Sequence, residues 1–180
     1  MGVLDLLILL RALLTFNATS LLLVIYFVKS VSFDADSPNP WGYALPVSLV
    51  LVPLLSTGVS VKLAGRLTAD NFPVGSVTSL SHASNVFLPS YLGYFFVALS
   101  VPNWPTLIFV YAILSVFTYF SQALYFNPLF LLYGYRFYSI RTIDGLEAFL
   151  ISKADWRTPA QVYVKFAHRV NGFTFIHGKA

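Results

Sequence analysis

The feature that most constrains this chain is a run of 53 residues, 83–135, with no Asp, Glu, Lys or Arg. It is interrupted only by Val101-Pro102-Asn103-Trp104-Pro105, and its two apolar halves are each close to the ~20 residues that a helix needs to cross a bilayer. Charged residues are only 10% of the whole chain, against about 25% in soluble proteins. The pattern predicts an integral membrane protein and excludes most soluble enzymes.

Apolar runs at four places in the chain predict transmembrane helices. No basic residue precedes Arg11, so the first run lacks the basic start of a secretory signal and is interpreted as a retained helix. We therefore expect an all-α membrane domain of four transmembrane helices over residues 1–132. The predicted spans are residues 3–28, 42–61, 83–101 and 106–126.

The positions of the basic residues predict the topology. Lys62 and Arg66 lie between the second and third runs, and seven basic residues against three acidic ones follow residue 126. Because Lys and Arg are enriched on the cytoplasmic side, we expect both termini and residues 62–82 to be cytoplasmic. Aromatic belts are then expected at the outer interface (Trp41, Tyr43, Trp104) and at the inner one (Tyr125, Phe126, Tyr133).

The last part of the chain alternates with period two, which predicts a small cytoplasmic β-hairpin domain over residues 133–180 and an α+β chain overall. Two-residue turns are predicted at Asp144-Gly145 and at Asn171-Gly172. The first turn would place Tyr138 opposite Ile151 and Ile140 opposite Phe149, with all four on one face. The second would place Val170 opposite Phe173, His168 opposite Phe175 and Phe166 opposite His177, so that the two histidines share a face.

Several kinds of chemistry have no sequence support. The chain has no cysteine, no phosphate-binding glycine loop and no HExxH or GxSxG motif. No Asp or Glu falls deep inside a predicted span, as an ion-coupled carrier would require. His168 and His177 have no evident third ligand to complete a metal site. We expect no catalytic residue, no metal and no cofactor, and hence a protein that is not an enzyme.

Polar residues inside the predicted spans are the candidates for an intramembrane site. Arg11 could line a pore, contact a lipid phosphate or pair with a carbonyl group; alternatively it extends to the inner headgroups, the interpretation we favour. Asn17, Ser56 and Ser60 form the other polar positions, and Ser56-Ser60-Ala64 is a small-residue ladder suited to close helix packing, within the chain or between subunits.

The basic tail is the predicted partner-binding surface. Its aromatic residues resemble a stacking platform for single-stranded nucleic acid, but basic residues beside a membrane are already expected from topology and from anionic lipid. We therefore favour a soluble protein partner over direct nucleic-acid binding, held by charge or by strand addition to an open sheet edge. The predicted contact residues are Arg136, Arg141, Lys153, Arg157, Lys165 and Arg169.

Short motifs after the fourth run, Asn127-Pro128, Gly134-Tyr135-Arg136-Phe137-Tyr138 and Leu150-Ile151-Ser152-Lys153, resemble the membrane subunit of the bacterial Kiwa anti-phage defence system. The resemblance implies a homotetramer in the inner membrane that senses phage attack and works with a soluble DNA-binding partner. The residues carried over, as a structural junction only, are Asn127, Pro128, Gly134, Tyr135, Phe137 and Tyr138.

Two functions remain open at this point. The first is a sensor or scaffold subunit that lies in the lipid bilayer, forms a homo-oligomer and docks its partner on the tail. The second is a small oligomeric ion channel or a membrane-permeabilising effector, for which Arg11, Asn17 and the Ser56–Ser60 face would provide the polar lining.

Overall fold

The structure is a computed structural model that describes residues 2–30, 44–83, 88–121 and 127–178. Its helices are α1 (Val3–Ser30), α2 (Ala44–Ala64), α3 (Leu88–Ser100), α4 (Trp104–Ser121) and the single turn α5 (Leu129–Leu132). Helix α1 lies at the centre and contacts α2, α3 and α4. Its Leu22 and Tyr26 pack against Ala98 of α3 and Leu107 of α4.

Three described helical segments, Leu4–Ser30, Val47–Ala64 and Trp104–Ser121, are long and apolar enough to cross a membrane. Within the described residues, α3 covers 13 residues, or about 20 Å at 1.5 Å per residue, which is short of the ~30 Å hydrocarbon core of a bilayer. The prediction of an all-α domain with four transmembrane helices is therefore wrong, and the strands described next correct it further.

The strands form one six-stranded mixed sheet. They are β1 (Ala69–Phe72), β2 (Val77–His82), β3 (Arg136–Thr142), β4 (Glu147–Ser152), β5 (Val164–Arg169) and β6 (Thr174–His177), in the order β1-β5-β6-β4-β3-β2. Only β4 and β6 pair in parallel. Two strands thus come from residues 69–82, which the sequence presents only as a polar loop between apolar runs.

The connection between β1 and β2 forces the sheet to curl. These two strands are the edges of the sheet, yet only residues 73–76 separate them, with Gly75 at φ +83° in the turn. The five steps from Phe72 to Val77 span at most about 18 Å, less than the roughly 24 Å between the outer strands of a flat six-stranded sheet, so the two edges must approach each other. The sheet therefore bends into a half-barrel instead of lying flat as two separate hairpins.

Both hairpins of the tail form, but in a register one residue away from the predicted one. Ile140 pairs with Ala148 and Tyr138 with Leu150, because the connection is a three-residue loop that ends in Gly145 at φ +80°. A slip of one residue moves side chains to the opposite face of a strand. Phe149 and Ile151 are therefore on the other side of the sheet from Tyr138 and Ile140.

The second hairpin deviates in the same way. The Oδ1 atom of Asn171 accepts hydrogen bonds from the backbone N–H groups of Phe173 (2.9 Å) and Thr174 (2.7 Å), which closes a three-residue loop. His168 consequently pairs with Ile176, and Ala167 with His177. The predicted pairs are wrong, and the two histidines lie on opposite faces.

The two faces of the sheet have separate apolar cores. One face packs against the helices, where Leu10 and Leu14 of α1 meet Phe137, Ile151 and Ile176. The inner face of the curl is filled by a second cluster, closed by Trp156 of the link between β4 and β5 (Tyr138, Ile140, Leu150, Val164, Phe175). The start of α1 and the sheet therefore lie at the same end of the helices.

Candidate functional site

A row of buried polar side chains runs through the helices. Asn17 of α1 is fully buried, and its Nδ2 donates a hydrogen bond to Oγ of Ser60 on α2 at 3.3 Å. Ser60 in turn donates to the backbone carbonyl of Ser56 at 2.8 Å. The structure thus brings these three sequence-predicted residues together at the α1–α2 contact, where they link two helices.

Further polar contacts extend this row and involve residues that the sequence reasoning missed. Thr19 lies 3.3 Å from the hydroxyl of Tyr111 on α4. Nδ2 of Asn127 donates to Oγ1 of Thr57 on α2 at 3.0 Å. The available signal for Thr19 was its helical spacing from Thr15, which places two polar groups on one side of α1.

Arg11 lies where the helices meet the sheet, because its neighbours Leu10 and Leu14 pack against sheet residues. Lys29, near the other end of α1, donates to the carbonyl groups of Leu99 (2.6 Å) and Val101 (3.1 Å). Arg11 and Lys29 are 18 positions apart in the sequence, about 27 Å along a helix and close to the ~30 Å hydrocarbon thickness. The two cations are thus spaced to lie at opposite interfaces.

Two of the predicted belt residues lie at opposite ends of the helices. Trp104 contacts Tyr26 and Phe27 with ring centroids 5.6 and 5.0 Å apart, at the Lys29 end. Tyr133, at the sheet end, donates its hydroxyl to the carbonyl of Leu54 at 2.9 Å. The other predicted belt residues, Trp41, Tyr43, Tyr125 and Phe126, lie outside the described residues.

The predicted junction residues connect the helices to the sheet. Asn127 precedes Pro128 and accepts the backbone N–H of Leu129 at 3.0 Å through Oδ1. Gly134, at φ +76°, turns the chain from α5 into β3. The remaining three junction residues are buried on the two faces of the sheet: Tyr135, Phe137 and Tyr138. Burial raises the pKa of the Tyr135 hydroxyl above its ordinary value.

Three of the six predicted partner-binding cations are held in ion pairs within the chain. Arg136 pairs with Asp155, an interaction that raises the pKa of the guanidinium group and lowers that of the carboxyl group. Arg141 pairs with Glu147, and Arg169 with Asp70, each at 2.6 Å. These arginines are partly neutralised before any partner arrives (ion pairs: Arg136–Asp155, Arg141–Glu147, Arg169–Asp70).

The other three cations form no ion pair within the described part of the chain. The Lys153 ammonium lies 4.8 Å from the centre of the Tyr135 ring, and that of Lys165 lies 5.3 Å from the centre of the Phe166 ring. Arg157 is exposed. Lys165 also borders an open groove of about 840 Å³ at the mouth of the half-barrel, beside the Arg169–Asp70 pair.

The histidines have separate environments. His177 stacks on Trp156 with an interplanar angle of 14° and contacts Oγ of Ser152 at 2.7 Å; burial lowers the pKa of its imidazole. His168 Nδ1 lies 3.0 Å from the carbonyl oxygen of Leu67. Among the residues that the structure describes, no group of three or more His, Cys, Asp or Glu side chains could hold a metal ion.

Comparison with known proteins gives one match. The family model described as "Anti-phage protein KwaA" matches residues 10–176, nearly the whole chain. No curated protein and no solved structure matches. The family match confirms the resemblance to the Kiwa system that the motifs at residues 127–153 indicated.

Proposed function

The chain belongs to the KwaA family of anti-phage proteins, and from this premise we propose that it is a non-catalytic membrane subunit that docks a soluble partner on its sheet. Membership of the family places it in anti-phage defence. We further propose that the chain resides in the bacterial inner membrane, where it forms a homo-oligomer and acts as a sensor or scaffold in the defence.

The observation that carries the membrane assignment is the apolar outer surface of the helices. Phe96 of α3 and Phe109, Phe117 and Phe120 of α4 are each 65–73% exposed. Soluble monomers rarely expose a contiguous apolar surface of this kind. Lipid, or another copy of the chain within the bilayer, is the environment that would cover it.

In contrast to the apolar surface of the helices, the surface of the sheet carries exposed basic side chains. Its exposed side chains include Lys153, Arg157 and Lys165, none of which is held in an ion pair in the described residues. Because the start of α1 lies at the same end as the sheet, both would face the cytoplasm under the positive-inside rule. We propose that these three cations contact an acidic face of the soluble partner.

The membrane assignment is tested by extracting cell membranes with alkaline carbonate and by fusing a reporter after Ala180. We expect the chain to stay in the pellet and the reporter to be active in the cytoplasm only. Release into the supernatant would contradict membrane insertion, and a reporter active only in the periplasm would contradict the orientation.

The docking surface is tested by charge removal, measured as affinity for the soluble product of the neighbouring defence gene. Arg157→Gln with Lys165→Gln should weaken binding about 3- to 30-fold, since each exposed ion pair contributes about 0.3–1 kcal/mol. Rising salt should weaken wild-type binding in parallel.

A matched control changes the charge by the same amount elsewhere. Ser79 and Ser81 are exposed residues of the edge strand β2. The double variant Ser79→Glu with Ser81→Glu should leave the affinity unchanged. The opposite pattern, a loss with the serine variants and none with the cation variants, would refute charge-based docking and indicate strand addition at β2.

A channel or permeabilising effector is the second candidate. The observation in its favour is that Oδ1 of Asn17 and Oγ of Ser56 and Ser115 are buried in the helices and have no hydrogen-bond partner in the described part of the chain, as groups lining a hydrated path would be. Proteoliposomes should show no ion flux if the scaffold proposal is correct. Flux that Asn17→Leu abolishes would favour the channel.

A further inference from the structure

We propose that the groove between α1 and α4 binds an anionic phospholipid of the surrounding bilayer. The groove has a volume of about 330 Å³ and is open along one side. Phe16 of α1 and Tyr111, Tyr119 and Phe120 of α4 supply its apolar lining. The inference rests on the membrane location proposed above and adds a specific ligand to it.

Two hydroxyl groups that line this groove have no hydrogen-bond partner among the residues that the structure describes. Thr15 lines it, is 6% exposed, and has a buried Oγ1 atom with no hydrogen-bond partner. Ser115, across the groove on α4, has a buried Oγ atom that likewise has no hydrogen-bond partner in the described residues. Buried hydroxyl groups are normally hydrogen-bonded, because leaving them unpaired is costly. An acceptor such as the ester carbonyl of a lipid would satisfy both.

Arg11 supplies the charge. It lies one helical turn before Thr15, and residues four apart on a helix are neighbours on one side. Its Nε atom is buried without a hydrogen-bond partner, and the guanidinium group forms no ion pair among the described residues. Lys29, at the other end of α1, differs because two carbonyl groups hold its ammonium. Arg11 is thus a cation of the helices, next to the groove, that is available for an anion at the sheet-side interface.

The arrangement matches one kind of occupant. A phosphate at Arg11 would lie at headgroup depth, at the same end of the groove as Phe120. Ester groups would reach Thr15 and Ser115, and an acyl chain would continue past Tyr111, whose hydroxyl lies 3.3 Å from Thr19, one helical turn beyond Thr15. The headgroup of a zwitterionic phospholipid carries its own cation, which competes with Arg11 for the phosphate, and a purely apolar surface would leave the hydroxyl groups unpaired. Charge complementarity therefore favours an anionic phospholipid.

The test uses the full chain purified in a neutral detergent. Phosphatidylglycerol or phosphatidylcholine is added, and native mass spectrometry counts bound lipids and subunits. Wild type should retain phosphatidylglycerol about fivefold better than phosphatidylcholine. Arg11→Gln should remove that preference, and Thr15→Val with Ser115→Ala should lower retention of both lipids. The control Arg66→Gln removes an exposed cation at the end of α2 and should change nothing.

The readouts separate the ways in which the idea could fail. Equal retention of the two lipids by wild type would overturn it, and this needs no variant to fold. Arg66→Gln reducing the preference as much as Arg11→Gln would show diffuse surface attraction instead of a site. Groove variants that change the subunit number but not the lipid count would assign the groove to a second copy of the chain. Loss of the chain from carbonate-washed membranes would instead contradict the proposed membrane location itself.

Discussion

Replacing Asn127 by Ala should lower the melting temperature of the purified chain by several degrees, because this side chain connects the helices to the sheet. Asn127 is fully buried. It donates to Oγ1 of Thr57 at 3.0 Å and accepts the N–H of Leu129 at 3.0 Å. Thr57 keeps its own donation to the carbonyl of Pro53, so the main loss is the unpaired N–H of Leu129.

The magnitude follows from these contacts. A buried donor left without an acceptor costs about 1–3 kcal/mol, so we expect about 2 kcal/mol for Asn127→Ala. In a domain of 150–250 residues each kcal/mol shifts the melting temperature by about 2–4 °C, which gives about 4–8 °C. The assay is thermal unfolding in detergent, followed by fluorescence and by light scattering.

A second substitution and a control sharpen this test. Asn127→Asp keeps the acceptor for Leu129 but buries a carboxyl group, whose charged form is disfavoured there. Its folded pKa should therefore be raised, and the variant should be less stable at pH 8 than at pH 5. Asn103→Ala removes an exposed side chain that accepts the N–H of Thr106 at 3.1 Å and should cost only about 1 kcal/mol. A melting temperature of Asn127→Ala within 2 °C of wild type, or no lower than that of Asn103→Ala, would refute this role of Asn127.

Three further predictions test the sheet. Burial lowers the pKa of His177, so the unfolded chain takes up its proton first as the pH falls below about 6.5; thermal stability should then decrease, and less so in His177→Gln. Phe72→Ala should cost about 3–5 kcal/mol in chemical unfolding, because Phe72 is buried in the half-barrel, whereas the exposed Val74→Ala should change stability by less than about 0.5 kcal/mol. Thr174→Pro should prevent folding, measured as soluble yield, because β6 is a central strand, where proline removes a hydrogen bond of the sheet.

The apolar runs determined a large part of this protein without tertiary information. Long apolar stretches with few charges favour helices that are covered by lipid or protein, and α1, α2 and α4 appear where those runs occur. Period-two alternation likewise located β3–β6, and the short motifs at residues 127–153 indicated the family that the comparison supports. These signals are local, so they can be read from neighbouring residues alone.

The tertiary structure decided what depends on distant partners. Strands β1 and β2 are short and mostly exposed, and they become strands only because β5 and β3 offer them hydrogen-bonding edges. The register of both hairpins is set by the loop geometry at Gly145 and Asn171 and by the need to bury one set of side chains against α1 and the other inside the curl. The ion pair between Arg169 and Asp70 joins residues 99 positions apart, so the sequence could count the cations of the tail but could not tell which of them remain free for a partner.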